Sequence, residues 1–204
     1  MAHPHAAEWN RRYASTDRLF PAEADGALVE LASGLKPGRA LDLGAGEGRN
    51  SLWLARHGWQ VTAVDVSRVA LGRLGEAASA SHLPVTTVVA DMTRYLAGGH
   101  TFDLVVLAFL HPAPADRAAF LAAAAAAVAP GGHLFLLGHH LDSLGHVGPP
   151  DPDRLYTAGR LRDAFPGLRI VWLTDRERRT ETGSAPLLDV LAWAERPAGA
   201  GEPA

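Results

Sequence analysis

Short uninterrupted apolar runs alternate along this chain with longer stretches in which apolar residues return at a helical spacing. The alternation holds from about residue 25 to 140 and predicts a mostly parallel sheet with crossover helices. A first helix is expected over Gly26–Gly34, stopped by Gly34 and Lys36-Pro37-Gly38. Strands are expected at Arg39–Leu43, Gln60–Val66, Pro84–Ala90, Phe102–Ala108 and His133–Gly138. Helices are expected over Asn50–His57, Arg68–Ala80 and Asp116–Val128. The last of these should stop at Pro130-Gly131-Gly132, where proline and glycine both oppose continuation. Gly145, Gly148, Pro149 and Pro150 mark His139–Asp153 as a loop with a functional character. Thr157 is expected to cap a short helix reaching Ala164. Arg169–Asp175 and Leu188–Glu195 then finish the sheet as a pair of strands.

Composition narrows the class. At 204 residues the chain suffices for one α/β domain, and its 48% hydrophobic and 20% charged content is that of a globular protein. The formal net charge of -3 argues against duplex nucleic acid as the main partner, since such binders carry a basic face. The local run Arg176, Arg178, Arg179 reads as the solvated end of a strand. With no cysteine there is no thiolate nucleophile and no Cys-based metal site, which fits a cytoplasmic protein. Met1–Asn10 lacks the pattern of a secretory signal, and the alanine-rich run Ala118–Ala129 is too short to span a bilayer. No membrane partner is expected.

The most specific chemistry follows the first strand. Gly44, Gly46 and Gly48 alternate through Leu41-Asp-Leu-Gly-Ala-Gly-Glu-Gly48, where an open α/β sheet binds ligands at the carboxyl ends of its strands. Glycines there also make a tight turn, but three in alternation favour a ligand's close approach. A dinucleotide fingerprint would place its third glycine where this chain has Arg49, and Asp42 would sit badly beside a pyrophosphate. A carboxylate at that place suits a ligand with a positive charge.

This motif closely resembles the first motif of class I S-adenosylmethionine-dependent methyltransferases. The resemblance implies a three-layer Rossmann-like sandwich whose seven-stranded sheet is mostly parallel with an antiparallel last strand. It implies a single domain over residues 1–197, with an N-terminal helical lid at about 5–20 and a flexible tail at 198–204. Gly44, Ala45 and Gly46 would lie against the methionine part of the cofactor with Asp42 near its ammonium. Asp65 and Val66 would take the ribose end, and Asp91 with Met92 the adenine. Asn50, Ala108 and Trp9 would complete the cofactor's surroundings, and S-adenosylhomocysteine would be the product. As alternatives, Asp65 can cap the following helix and Asp91 can be a surface residue. Gly48-Arg-Asn-Ser-Leu-Trp-Leu-Ala55 and Trp9-Asn-x-x-Tyr13 are similar to the tellurite-resistance type and related small-molecule enzymes. Trp9 and Tyr13 share a helix face, where they would either cover the cofactor or staple the helix to the core.

A sulfonium methyl is a strong electrophile, so positioning and desolvation carry much of the catalysis. A thiol or chalcogen acceptor needs no base, whereas a hydroxyl or protonated nitrogen does. His111 follows the fourth expected strand, and His139 and His140 the fifth, placing all three at one end of the sheet if those strands are neighbours. Adjacent residues on an extended chain point apart, so one of His139 and His140 should face the methyl. The same histidines can equally be solvent-exposed or structural. A metal site from His111, His139 or His140, and His146 is the lesser option, and no metal is expected. Phe109 and Leu110, with Tyr13, would wall a substrate pocket, or else end the strand as core residues. Phe109-Leu-His-Pro112 lacks the Asn/Asp-Pro-Pro-aromatic motif of amino-methylating enzymes for nucleic acids, which favours a small-molecule acceptor. A monomer or homodimer is expected. The alternatives of another class are a dinucleotide-dependent oxidoreductase and a non-catalytic cofactor-binding protein.

Overall fold

A computed structural model describes residues 5–178 and 186–199. They divide into two compact units, Met1–Phe102 and Asp103–Ala204. The expected flexible tail falls largely on residues 200–204, which lie outside the described residues, as does Arg179.

The first unit alternates helix and strand: α1 Ala6–Ala14, α2 Gly26–Ala32, β1 Arg39–Leu43, α3 Arg49–Arg56, β2 Gln60–Asp65, α4 Arg68–Ala80, β3 Val85–Val89 and α5 Met92–Leu96. The strands pair in parallel in the order β3-β2-β1, with Leu43 opposite Val64 and Asp65 opposite Val89. Their carboxyl ends therefore lie side by side. Leu41, Leu43, Ala63 and Val64 are wholly buried, as expected for parallel strands covered on both faces. Leu52 of α3 and Leu71, Leu74 and Ala78 of α4 pack against Ala63. Asp25 caps α2 and Ser67 caps α4, each side chain accepting a backbone N–H of the first turn. The short α5 has no apolar repeat long enough to read from sequence; Asp91 starts it by accepting the N–H of Arg94 at 2.9 Å.

The second unit holds β4 (Phe102–Ala108, beginning at the division), α6 Pro114–Ala126, β5 Val128–His139, α7 Ala158–Leu161, β6 Arg169–Arg178 and β7 Leu187–Glu195. Their order is β4-β5-β7-β6, and β7 runs antiparallel to both neighbours. Seven strands, crossover helices and one antiparallel strand make this the Rossmann-like α/β class.

Around Pro130 the structure departs from the expected helix and strand ends. The helix ends at Ala126 and β5 begins at Val128, passing through Pro130 and Gly131. Proline's fixed φ is compatible with extended backbone, and at the start of a strand its missing N–H is tolerated. Arg196 bonds the backbone on both sides of the turn there, accepting from Gly131 and donating to Gly132. Thr157 caps its helix as expected, accepting from Arg160 N at 3.2 Å, but α7 ends already at Leu161. The loop after β5 is well tied. It carries two 3-10 turns and a parallel bridge between His140 and Tyr156, and Ser143 both donates to and accepts from Leu188 backbone.

Candidate functional site

The glycine loop leaves β1 through three left-handed residues, Gly44, Gly46 and Gly48. Two of them have no room for a side chain. A Cβ on Gly48 would meet Leu74 Cδ1 at 2.1 Å, and one on Gly46 would meet the Tyr13 hydroxyl at 2.6 Å. The loop is anchored from behind, with Gly44 N and Ala45 N both donating to Val64 O.

Two carboxylates flank it. Asp42 is 2% exposed and accepts the Ser51 hydroxyl at 2.6 Å. Burial pushes its carboxyl up to about 6, against the opposing pull of Ser51 and Arg49. Asp65 ends β2. Its Oδ2 accepts Gly46 N at 2.9 Å and its Oδ1 accepts Ser67 N at 2.8 Å. Burial raises its carboxyl despite these bonds. Ser67, not Asp65, caps the following helix. A carboxylate offers about four acceptor positions, so beside the bonds from Gly46, Ser67 and the Val66 backbone Asp65 keeps one for a hydroxyl such as a ribose presents. An acidic, glycine-backed cradle of this kind fits a cationic nucleoside such as S-adenosylmethionine.

The N-terminal segment lies over this loop. Tyr13 is buried, and burial followed by the Asp65 and Glu47 charges pushes its phenol up. Trp9 lies 5.9 Å from the Tyr13 ring and carries the Arg12 guanidinium at 4.3 Å. Residues not read from the sequence hold the segment down. Asn10 Oδ1 accepts from Ser67 Oγ at 2.9 Å and Val69 N at 3.3 Å. Glu47 accepts Leu19 N at 2.9 Å and Arg73 Nη1 at 2.7 Å, while Arg73 Nη2 reaches Thr16 O at 2.8 Å. Asn50 is buried and accepts Asp25 N at 3.0 Å, a bond that ties the start of α2 to α3. Val66 adds a backbone bond to Asp65, and Met92 is half-buried beside Asp91. An open hollow of about 470 Å³, edged by Arg39, Gln60 and Tyr95, lies at the opposite ends of β1–β3 from the glycine loop.

In the second unit the three histidines come together, and their bonds separate them. His139 N donates to His111 Nε2 at 3.0 Å, so that nitrogen must carry a lone pair. The His111 proton therefore sits on Nδ1, donated to Phe109 O at 3.0 Å. Burial, then the neighbouring His139, lowers the His111 imidazole to about 3. His140 is 8% exposed, and its Nδ1 accepts Asp142 N at 3.0 Å as the cap of a 3-10 turn. His139 bonds through one ring nitrogen, its Nδ1 lying 2.9 Å from Asp189 Oδ1. Asp189 in turn accepts Arg178 Nε at 2.7 Å. Burial opposes ionisation of Asp189, but the bonds from His139 and Arg178 outweigh it and hold the carboxyl below its ordinary value.

Arg178 is thus no merely solvated strand end. Phe109 adopts φ 56 and lays its ring 4.7 Å from that of His139. Ala108 and Leu110 on either side are half-buried, and Leu110 O accepts the Tyr156 hydroxyl at 2.7 Å. Both Nε and Nη2 of Arg154 donate to His111 O. Among the described residues no group of three His, Asp or Glu side chains is placed to share a metal ion.

The alternation of elements and the acidic glycine loop define a Rossmann-like cofactor-binding fold. Residues 40–132 match the methyltransferase domain family. The chain resembles the class I S-adenosylmethionine-dependent methyltransferases and, among them, the TehB type. It is 36% identical over 67 residues to the probable S-adenosyl-L-methionine-dependent methyltransferase TehB of Haemophilus influenzae, covering 33% of this chain and 23% of that protein. It is 41% identical over 71 residues to ribosomal RNA small subunit methyltransferase C of Alcanivorax borkumensis, covering 35% of this chain and 21% of that one. Each match spans less than a quarter of the relative's length. The fold is shared with the 1,6-didemethyltoxoflavin-N1-methyltransferase of Burkholderia thailandensis, solved with that compound and S-adenosylhomocysteine. There the TM-score is 0.73 at 22% identity, covering 97% of this chain and 92% of that one.

Proposed function

We propose that this protein is an S-adenosylmethionine-dependent methyltransferase acting on a small-molecule acceptor through an oxygen or nitrogen nucleophile. The observation that carries the reading is the Gly46–Asp65 contact, in which a left-handed glycine hands its N–H to a carboxylate that keeps an acceptor position. Asp65 holds the ribose hydroxyls, Gly44, Ala45 and Gly46 leave the backbone open to the methionine part, and Asp42 supplies negative charge toward its ammonium. Asp91 and Met92 serve the adenine, and the segment bearing Trp9 and Tyr13 covers the cofactor as a lid. When bound, S-adenosylmethionine supplies an electrophilic methyl group. His139 Nε2 removes the acceptor's proton, leaving the electron pair on oxygen or nitrogen. Phe109 and Leu110 line the acceptor's place. The absence of cysteine is in keeping with a cytoplasmic enzyme, working as a monomer or homodimer. No helix among the described residues is long and apolar enough to cross a membrane.

Calorimetric titration with S-adenosylmethionine and S-adenosylhomocysteine, with NAD(P) as control, tests this. Micromolar binding of the first two alone is expected. Binding of NAD(P) instead would establish the oxidoreductase alternative. A following acceptor panel of phenols, amines and thiols should show base-dependent turnover on phenols or amines. Turnover confined to thiols or chalcogen oxyanions would remove His139 from the mechanism.

A further inference from the structure

We infer that Asp189, braced by Arg178, is the positioning carboxylate that keeps the His139 proton on Nδ1 and its lone pair on Nε2. The inference rests on the reading of His139 as the base, and the arrangement of the ring supports it from every side. The Nδ1 edge lies 2.9 Å from Asp189 Oδ1, and Arg178 Nε fixes the other carboxylate oxygen at 2.7 Å. The Phe109 ring lies 4.7 Å away, tilted by 39°, and the His111 ring stacks 5.0 Å away, nearly parallel at 11°. The Cδ2 edge abuts Gly148, where a Cβ would come within 2.7 Å of it. The Nε2 corner carries none of these contacts. No described residue bonds to it, and no buried polar side-chain atom among the described residues lacks a partner, so Nε2 opens to solvent.

A ring held this way has one productive use. An acceptor O–H or N–H bond breaks, a bond forms from that hydrogen to Nε2, and the electron pair stays with the acceptor atom. The positive charge of the imidazolium is shared with Asp189, and the proton then leaves to water. An acceptor that enters with its proton attached therefore matches this corner better than a pre-formed anion, which has nothing to give to Nε2. Arg178 makes the tautomer testable. Its guanidinium only donates, so it needs an oxygen facing it. In Asp189→Asn the amide oxygen turns to Arg178 and the amide NH₂ faces Nδ1, which must then accept, moving the ring proton to Nε2. In the double variant Asp189→Asn with Arg178→Met, the amide is released to turn its oxygen back to Nδ1.

The experiment is nitrogen NMR of the full chain labelled at histidine, at a pH where the rings are neutral. The wild type should show His139 protonated at Nδ1, the single variant at Nε2, and the double variant at Nδ1 again. A purely structural Asp189 would not make the proton change nitrogens and change back. A wild-type ring protonated at Nε2, or a single variant whose proton stays on Nδ1, would overturn the inference. Calorimetry with S-adenosylmethionine on the same samples separates the two readings. Binding with the wrong tautomer sinks the positioning role alone, and the right tautomer without binding sinks the methyltransferase reading on which it rests.

Discussion

At the end of β2 a carboxylate is held almost wholly by the backbone, whereas at the end of β5 side chains hold one another. Asp65 accepts main-chain N–H groups from Gly46, Val66 and Ser67. His139, Asp189 and Arg178 form a chain of side-chain bonds, with His111 joined through a main-chain N–H. The first arrangement is fixed as soon as the loop folds, because the donors are part of the loop. The second depends on three strands meeting in register. Backbone-built sites are tolerant of side-chain change but not of backbone change; side-chain networks are the reverse, and their parts act as a unit.

The largest expected effect follows from that contrast. Gly48 sits at φ 82 with Leu74 Cδ1 2.1 Å from where its Cβ would be. Gly48→Val therefore needs both a strained backbone and a displaced core leucine. It should cost about 4 kcal/mol or more in denaturant unfolding. A cost under about 1 kcal/mol would mean that the loop tolerates backbone change after all.

Next in size are two substitutions that should act on different constants. His139→Ala should lower turnover by about 10²–10⁴-fold, the usual contribution of a positioned base, and leave the affinity for S-adenosylmethionine unchanged. Asp65→Ala should do the opposite, weakening cofactor binding by about 2–3 kcal/mol through the loss of charged hydrogen bonds. Calorimetry and steady-state rates on both variants would show the crossing. If each variant lowered both constants alike, the two regions would not be separable in function.

How far each region could be read in the sequence follows the same division. The glycine loop is local, so Asp42, Gly44, Gly46 and their place after β1 are visible within a single run of residues. Asp65 was visible as the residue that ends the next strand. Asp189 was not, because it lies 50 residues from His139 and meets it through the β5–β7 register, where the two are directly opposite. A signal existed, since Asp189 is one carboxylate within the otherwise apolar Leu187-Leu-Asp-Val-Leu-Ala-Trp193 and is 2% exposed. Buried carboxylates need partners, and the histidines after the fifth expected strand are candidates for one. Asn10 and Glu47 were hidden for the same reason, as their bonds tie segments far apart in the chain. The strand begins at Val128 and not at His133 because proline and glycine end a helix but are tolerated in extended backbone.

Acid should act on the two regions in opposite directions. His111 is held near 3, below the ordinary value of about 6.5, so the unfolded chain binds its proton first. Its contribution to stability is complete above about pH 6.5 and is lost as pH falls toward 3, amounting to about 2 kcal/mol near pH 5. Asp42 is pushed up to about 6, so here the folded chain binds the proton first. Its burial penalises the protein above pH 6 and is relieved as pH falls toward 4, by about 1 kcal/mol near pH 5. Unfolding free energies at pH 8 and pH 5 would resolve the two. His111→Gln should reduce the loss on acidification, and Asp42→Asn should raise stability at pH 8 with the gain fading by pH 4. Equal pH dependence in both variants and the wild type would refute the assignment.

The smallest effect probes the strain between strand and ring. Phe109 is a left-handed non-glycine residue, a conformation that costs about 1–2 kcal/mol. Its ring makes a tilted contact with His139, an aromatic pair worth about 0.5–1.5 kcal/mol, with the Arg178 guanidinium 5.6 Å from its centroid. Phe109→Gly removes the strain and the contact together, so stability should change by less than about 1 kcal/mol. Turnover should nonetheless fall by about tenfold, because one face of His139 is uncovered and the ring can turn away from its Nε2 orientation. A rise in thermal stability with turnover unchanged would show that the left-handed backbone serves something other than the imidazole. If instead turnover falls while the melting temperature holds, the strain is spent on holding the base, and the side-chain region has its own counterpart to the left-handed glycines of the loop.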